Sequence, residues 1–252
     1  MRKPERRKFR QETVIHSYIH RPLSIEIIRL LWNTNITANQ ITLFRVVLNI
    51  ISLILFIQGT LWGFIGGFVF FQIHEILDHV DGMYSRLKNQ TSKIGAYMEY
   101  LFDDMFSTSY GLFGLAIAYG AYNLTGNYIY IWLFISIAIA HSLYSVYLVK
   151  FKNEQICEQE SLHNIDHDSE PFPAILGVGV TQGIKNLIFT AMVWKNEFLL
   201  WGALGFIYFK EHFGIDTILL ALIIHSIYFN ITWIKIALFG YRKARILDSI
   251  KR

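Results

Sequence analysis

The sequence predicts an all-α integral membrane protein, with six transmembrane helices preceded by an amphipathic helix at the cytoplasmic interface. Three observations carry this prediction. The 252 residues are 53% hydrophobic and 16% aromatic, and only 17% are charged, against roughly 25% in a soluble domain. The apolar residues form continuous blocks, each near the roughly 20 residues a helix needs to cross hydrocarbon, without the alternation of a β-barrel. Lysine and arginine gather in alternate connections, as the positive-inside rule requires. The single cysteine, Cys157, excludes an intrachain disulfide framework and a cysteine-based zinc site.

Residues 1–20 form a basic tail with Arg2, Lys3, Arg6, Arg7, Lys8 and Arg10. It reads as a solvated cytoplasmic segment that sets topology; a nucleic-acid arm fits poorly beside so much lipid-soluble chain. No apolar run follows until about residue 41, so no cleavable signal peptide is expected. Over 22–34, Leu23, Ile27, Ile28, Leu30 and Leu31 supply an apolar face and Glu26, Arg29 and Asn33 a polar one, the pattern of a helix lying in the interface plane.

A membrane domain over 21–241 follows, with spans at about 40–58, 61–82, 94–121, 128–149, within 176–209, and 216–239. A polar connection fills 150–172, and a basic tail covers 242–252. Lys195-Asn196-Glu197 interrupts the fifth span and admits either one helix with an extended Lys195 or two shorter segments. A single span makes the number of crossings even, as two basic ends require. The 2–3 connection holds Arg86, Lys88 and Lys93, the 4–5 connection holds Lys150 and Lys152, and the 1–2 and 3–4 connections hold no lysine or arginine. Lys210, in the 5–6 connection, runs against the trend. Both termini and the end of the second span therefore face the cytoplasm.

That end is the chemically informative region. Asp78 and Asp81 are three residues apart, so on a helix they share a face. Gly95, Glu99 and Asp103 follow at spacings of four and form one stripe at the start of the third span. Ionisable groups beside hydrocarbon are costly and mark functional sites. Oxygen-only ligands in this number suit a hard cation such as Mg²⁺ or Mn²⁺, and two ions sharing them would clamp a pyrophosphate. Gly82 and Gly95 let a nucleotide approach the backbone, and Arg86 is a cation suited to phosphate. The competing reading is a set of interfacial carboxylates paired with Arg86, Lys88 and Lys93.

The motif Asp78-x-x-Asp81-Gly82-x-x-Ser85-Arg86-x8-Gly95-x3-Glu99-x3-Asp103 resembles the signature of the CDP-alcohol phosphatidyltransferases, D-x-x-D-G-x-x-A-R-x8-G-x3-D-x3-D. The layout of spans over about 20–240 looks like that family as well. The stretch from Arg21 to Thr42 is similar to the start of its inositol-phosphate branch. The resemblance implies an enzyme that displaces CMP from a CDP-alcohol with an alcohol acceptor, using divalent metal, and that forms a homodimer. It implies that Asp78, Asp81 and Glu99 are metal ligands and that Asp103 is a metal ligand or the base taking the acceptor's proton. Asp81, Gly82, Ser85, Arg86 and Gly95 would contact the CDP.

Two positions depart from the signature. Ser85 replaces alanine, a small change. Glu99 replaces aspartate and moves a carboxylate by roughly 1–1.5 Å, which octahedral Mg²⁺ tolerates poorly. Glu99 motivates the alternative of a family-like protein that binds CDP-alcohol or metal without turnover. A transporter is disfavoured, because no internal repeat appears and the charged cluster lies at one membrane face. Outside the motif, Asn39, Thr42 and Arg45 are candidates for phosphate contacts, with Arg45 reaching the lipid headgroups as the simpler reading. His74 and Glu75 would orient the ligands or satisfy each other. His163, Asp166, His167 and Asp168 read as a solvated loop rather than a second metal site.

Overall fold

The computed structural model describes residues 16–90, 97, 102, 105–161 and 197–250. Among them every regular element is helical and no strand occurs. A π-helical turn, His16–His20, leads into α1 (Arg21–Leu31); α2 (Ala38–Ile57), α3 (Leu61–Leu87), α4 (Leu112–Thr125), α5 (Ile129–Ser161), α6 (Glu197–Phe213) and α7 (Thr217–Ile250) follow. Among the described residues three segments are long and apolar enough to cross a membrane: Ala38–Ile57, Ile129–Val146 and Thr217–Lys235.

Local chemistry sets the helix starts. Thr37 begins α2 with a capping box: its hydroxyl accepts from Gln40 N at 3.3 Å, and Gln40 Oε1 accepts from Thr37 N at 2.9 Å, satisfying two otherwise orphaned donors. Thr60 caps α3 through Gly63 N at 3.0 Å. Between them Gly59, at φ +65°, turns the chain back, so α2 and α3 form an antiparallel hairpin. Ser52 Oγ donates to Gly67 O across it at 2.7 Å.

α1 docks on α3 through a narrow face. Ser24 Oγ lies 2.7 Å from His20 O and 3.0 Å from Ile76 O, and His20 Nε2 lies 2.7 Å from Gln72 Oε1. Ser24 and Ile28 are buried, while Leu23 and Leu30 turn away from the protein, 46% and 79% exposed. The Tyr84 hydroxyl, buried on α3, is within reach of Leu31 O and Ile36 O at 3.2 and 3.0 Å. It pins the connection between α1 and α2.

Several spans differ in shape from the hydropathy reading. The third is not one helix over 94–121: bends and turns occupy 107–111, and α4 starts only at Leu112. Ser107 at the break directs its side chain to other helices, and the Thr108 carbonyl accepts from both Gly111 N and Gly114 N, at 3.0 and 3.2 Å. The fourth span's helix continues to Ser161, into the polar connection expected over 150–172, and α7 runs to Ile250 through the expected tail. Hydropathy reports where hydrocarbon contact ends, not where a helix ends. α6 begins at Glu197; Lys195, Asn196 and the rest of 162–196 lie outside the described residues, as do His163, Asp166, His167 and Asp168.

The main core gathers Phe56, Phe64, Phe71, Phe113, Ile117 and Phe206, each at most 1% exposed. Close approach makes it possible. A Cβ on Gly120 of α4 would collide with the Phe56 carbonyl oxygen of α2. At the far end Asp216 receives the hydroxyl of Tyr130, caps α7 through Leu219 N at 2.8 Å, and pairs with Lys210 Nζ at 3.4 Å. The lysine that ran against the charge trend is thus locally neutralised.

Candidate active site

The hairpin sets α2 against the last turns of α3, and three charged side chains meet there. Arg45 is completely buried. Its Nη1 lies 3.0 Å from Asp78 Oδ1 and its Nε 2.9 Å from Asp81 Oδ2. A guanidinium fork can span two carboxylates one helical turn apart; a lysine ammonium, a point charge, would hold them far less well. Thr42 Oγ1 lies 2.8 Å from the same Asp81 oxygen and 3.1 Å from Ala38 O. Its single proton goes to the carboxylate, the stronger acceptor, since hydrogen bonds to ionised groups are roughly twice as strong. Asp81 is 5% exposed, so these two donors replace much of the water its charge has lost.

Arg45 therefore does not extend to the headgroups, and Asp78 and Asp81 face it rather than Lys88. Lys88 Nζ instead donates to Thr34 O at 3.3 Å and lies 4.8 Å over the Tyr84 ring. The trio of Arg45, Asp78 and Asp81 carries a formal charge of −1 (one cation, two carboxylates), and Arg45 takes one oxygen of each carboxylate. Glu75, half-buried, stands on the same helix three residues before Asp78.

Gly82, Ser85 and Arg86 continue α3 beyond the carboxylates. Arg86 is exposed, and Ser85 Oγ donates to Gly82 O at 3.2 Å. Among the described residues a Cβ on Gly82 would meet only the tip of Arg86, at 3.4 Å, so their packing does not demand this glycine. Space beside the backbone is what it supplies. Asn39 is exposed in the first turn of α2.

Behind this layer lies a second one, of which sequence reasoning singled out His74 but missed Asn49 and Ser107. Asn49 Nδ2 donates to Ser107 Oγ at 2.7 Å; Ser107 Oγ and His74 Nε2 are 2.9 Å apart; His74 Nδ1 and Arg45 O are 3.1 Å apart. The expectation that His74 and Glu75 satisfy each other does not describe this ring, both of whose nitrogens are engaged elsewhere. A lone Asn49 within an apolar span was the available signal, since intramembrane polar side chains are costly and seek partners.

Gly95, Glu99 and Asp103 lie outside the described residues. A family model for CDP-alcohol phosphatidyltransferase matches residues 35–204, which is 170 of the 252 residues and includes the whole motif from Asp78 to Asp103. The chain belongs to the CDP-alcohol phosphatidyltransferase family. No curated protein matches it. CDP-alcohol phosphatidyltransferases move a substituted phosphate from a CDP-alcohol to an alcohol acceptor, and the three long apolar helices agree with a membrane setting for that reaction. Among the described residues no group of three or more His, Cys, Asp or Glu side chains is placed to hold a metal. The donors that are described, the carboxylates of Asp78 and Asp81, are hard oxygens, the type that fits Mg²⁺ or Mn²⁺.

Proposed function

We propose that this CDP-alcohol phosphatidyltransferase works at the cytoplasmic face of a six-span membrane domain over 21–241, with α1 lying along the membrane surface. The exposed Leu23 and Leu30 on α1 support that placement, and the basic connections support the orientation. The donor is CDP-diacylglycerol, CDP-inositol or a similar CDP-alcohol, and the product is a phospholipid or polar-headgroup precursor. The single observation that carries the reading is the cluster of Asp78 and Asp81 around buried Arg45, at the start of a motif that the family match covers in full.

In this reading Asp78, Asp81, Glu99 and Asp103 hold one or two divalent ions, Mg²⁺ or Mn²⁺. Bound there, such ions neutralise the pyrophosphate and the charge that develops on the leaving group. Gly82 and Gly95 admit the nucleotide to the backbone, with Ser85 and Arg86 beside its phosphates. Asp103 takes the proton of the acceptor hydroxyl. The acceptor oxygen then forms a bond to the phosphorus that carries the donor's alcohol. The bond from that phosphorus to the bridging oxygen breaks, and CMP leaves with the oxygen and its electron pair. Thr42 and Arg45 donate to the Asp81 carboxylate and fix its direction, so it is preorganised before substrate arrives.

The test is CMP release by purified protein in detergent. The donors are CDP-diacylglycerol and CDP-inositol, the acceptors inositol, inositol phosphate and other polyols, each with Mg²⁺, Mn²⁺ or chelator. Release with one pair, abolished by chelator and restored by either ion, is the expected result. Binding of CDP-alcohol without release from any pair would favour the non-catalytic reading, with Glu99→Asp the variant to restore turnover.

A further inference from the structure

The three members of the buried relay stand in a fixed relation to the proposed site. Asn49 follows Arg45 by four residues, His74 precedes Asp78 by four, and Ser107 follows Asp103 by four. On α2 and α3, which carry the first two pairs, that offset is about one turn on the same face. Along both α2 and α3 it leads toward the Gln58–Thr60 turn. The relay is a polar layer one turn behind the charged layer, and it joins the hairpin to the chain that leads into α4.

Its hydrogens have one consistent direction. The Arg45 backbone carbonyl can only accept, so His74 Nδ1 carries the ring proton. Nε2 of the neutral ring then accepts from the Ser107 hydroxyl, and Ser107 Oγ accepts from Asn49 Nδ2. All three residues are buried: Asn49 is 1% exposed, His74 2% and Ser107 6%. The arrangement also carries a cost, because Asn49 Oδ1 is buried with no hydrogen-bond partner among the described residues. An orphaned buried acceptor is destabilising; a fold that merely joined helices would gain by placing an apolar residue there.

We propose that Asn49, Ser107 and His74 are positioning residues for phosphoryl transfer. They hold Arg45, and the chain four residues beyond Asp103, in register with Asp78 and Asp81. This rests on the transferase reading above. Ser107 is the member that ties the chain leading into α4 to the hairpin, and in the sequence it follows Asp103 by four residues. The donor nucleotide is assigned to Asp81, Gly82, Ser85, Arg86 and Gly95, none of which belongs to the relay. Loss of the relay should therefore appear in kcat rather than in donor binding.

The experiment compares wild type, Ser107→Ala and Ser107→Thr as full-length protein in detergent, using a donor–acceptor pair that wild type turns over. CMP release, thermal unfolding and a Mn²⁺ titration followed by electron paramagnetic resonance are all measured. The expected result for Ser107→Ala is a kcat lower by about 10–100-fold, the range for lost residues that orient ligands. Its KM for the CDP-alcohol stays within about threefold of wild type, because no nucleotide contact is removed; Mn²⁺ binding weakens, and Ser107→Thr restores both. Wild-type kcat in Ser107→Ala, or a loss that Ser107→Thr leaves unrepaired, overturns the proposal. So does a lowered unfolding temperature with unchanged kcat, the signature of helix packing alone. Should Ser107→Ala not fold, Asn49→Ala decides in the same way, since it removes the first donor and leaves Ser107 bonded to His74. A wild-type protein that neither binds Mn²⁺ nor releases CMP from any pair sinks the transferase reading together with the relay. An active wild type with an indifferent Ser107→Ala sinks the relay alone.

Discussion

Arg45 shows what a single residue does when burial leaves it no water. Its guanidinium faces the carboxylates of Asp78 and Asp81, and removing one partner of such a buried group typically costs about 3–5 kcal/mol. Arg45→Ala should therefore destabilise the protein by about that amount and abolish CMP release; denaturant titration in micelles reads the first and the CMP assay the second. Arg45→Lys should recover part of the stability, because one ammonium reaches one carboxylate but not both. Asp103→Asn tests the other end of the mechanism. It should abolish CMP release while leaving the unfolding midpoint near wild type, and retained release would remove Asp103 as the base. At this scale the sequence was readable where contacts are local. Asp78, Asp81, Gly82 and Arg86 announce themselves by spacing within one helix. The partnership of Arg45 with Asp81 spans 36 residues and depends on the register of the hairpin, which no local pattern encodes. Asn49 stands out as a lone polar residue in an apolar span, but its partner Ser107, 58 residues away, was hidden for the same reason.

The α2–α3 hairpin and α4 succeed or fail together. Backbone approach at Gly120 leaves no room for even one methyl group beside Phe56 O. Gly120→Ala should force α4 away from α2, destabilise the fold by about 1–3 kcal/mol, and lower CMP release through displacement of α2. Unfolding in micelles and the CMP assay measure both, and an unchanged midpoint would show that α4 yields freely. Hydropathy located α2 and the start of α3 to within a few residues, because their ends coincide with turns closed by threonine caps. It misjudged the third span, where Ser107, Thr108 and Gly111 break the helix for reasons of hydrogen bonding. It also cut α5 and α7 short, because a helix keeps its backbone bonds after it leaves the hydrocarbon.

For the whole molecule, orientation decides which substrates reach the site. Cys157 is the only cysteine, so Cys157→Ser gives a background for reporter thiols at Asn89, beyond α3, and Asn127, between α4 and α5. In sealed inside-out vesicles an impermeant maleimide should label Asn89→Cys and spare Asn127→Cys; the reverse pattern would invert the topology. The charge balance behind this expectation has one exception, Lys210, which pairs with Asp216 where α6 and α7 lie side by side.

The two polar layers bear on how such a chain can change over generations. The two layers are linked by residues four apart on two helices: Arg45 and Asn49 on α2, His74 and Asp78 on α3. One residue inserted between the members of any pair would rotate the second by about 100° around a helix axis and carry it off the shared face. Substitutions between the paired positions leave the alignment intact, since those side chains point elsewhere. Length within these short intervals is therefore the rigid quantity and their content the pliable one. Drift in this protein should accumulate as exchanges of residue type there, while gains and losses of residues are confined to the connections.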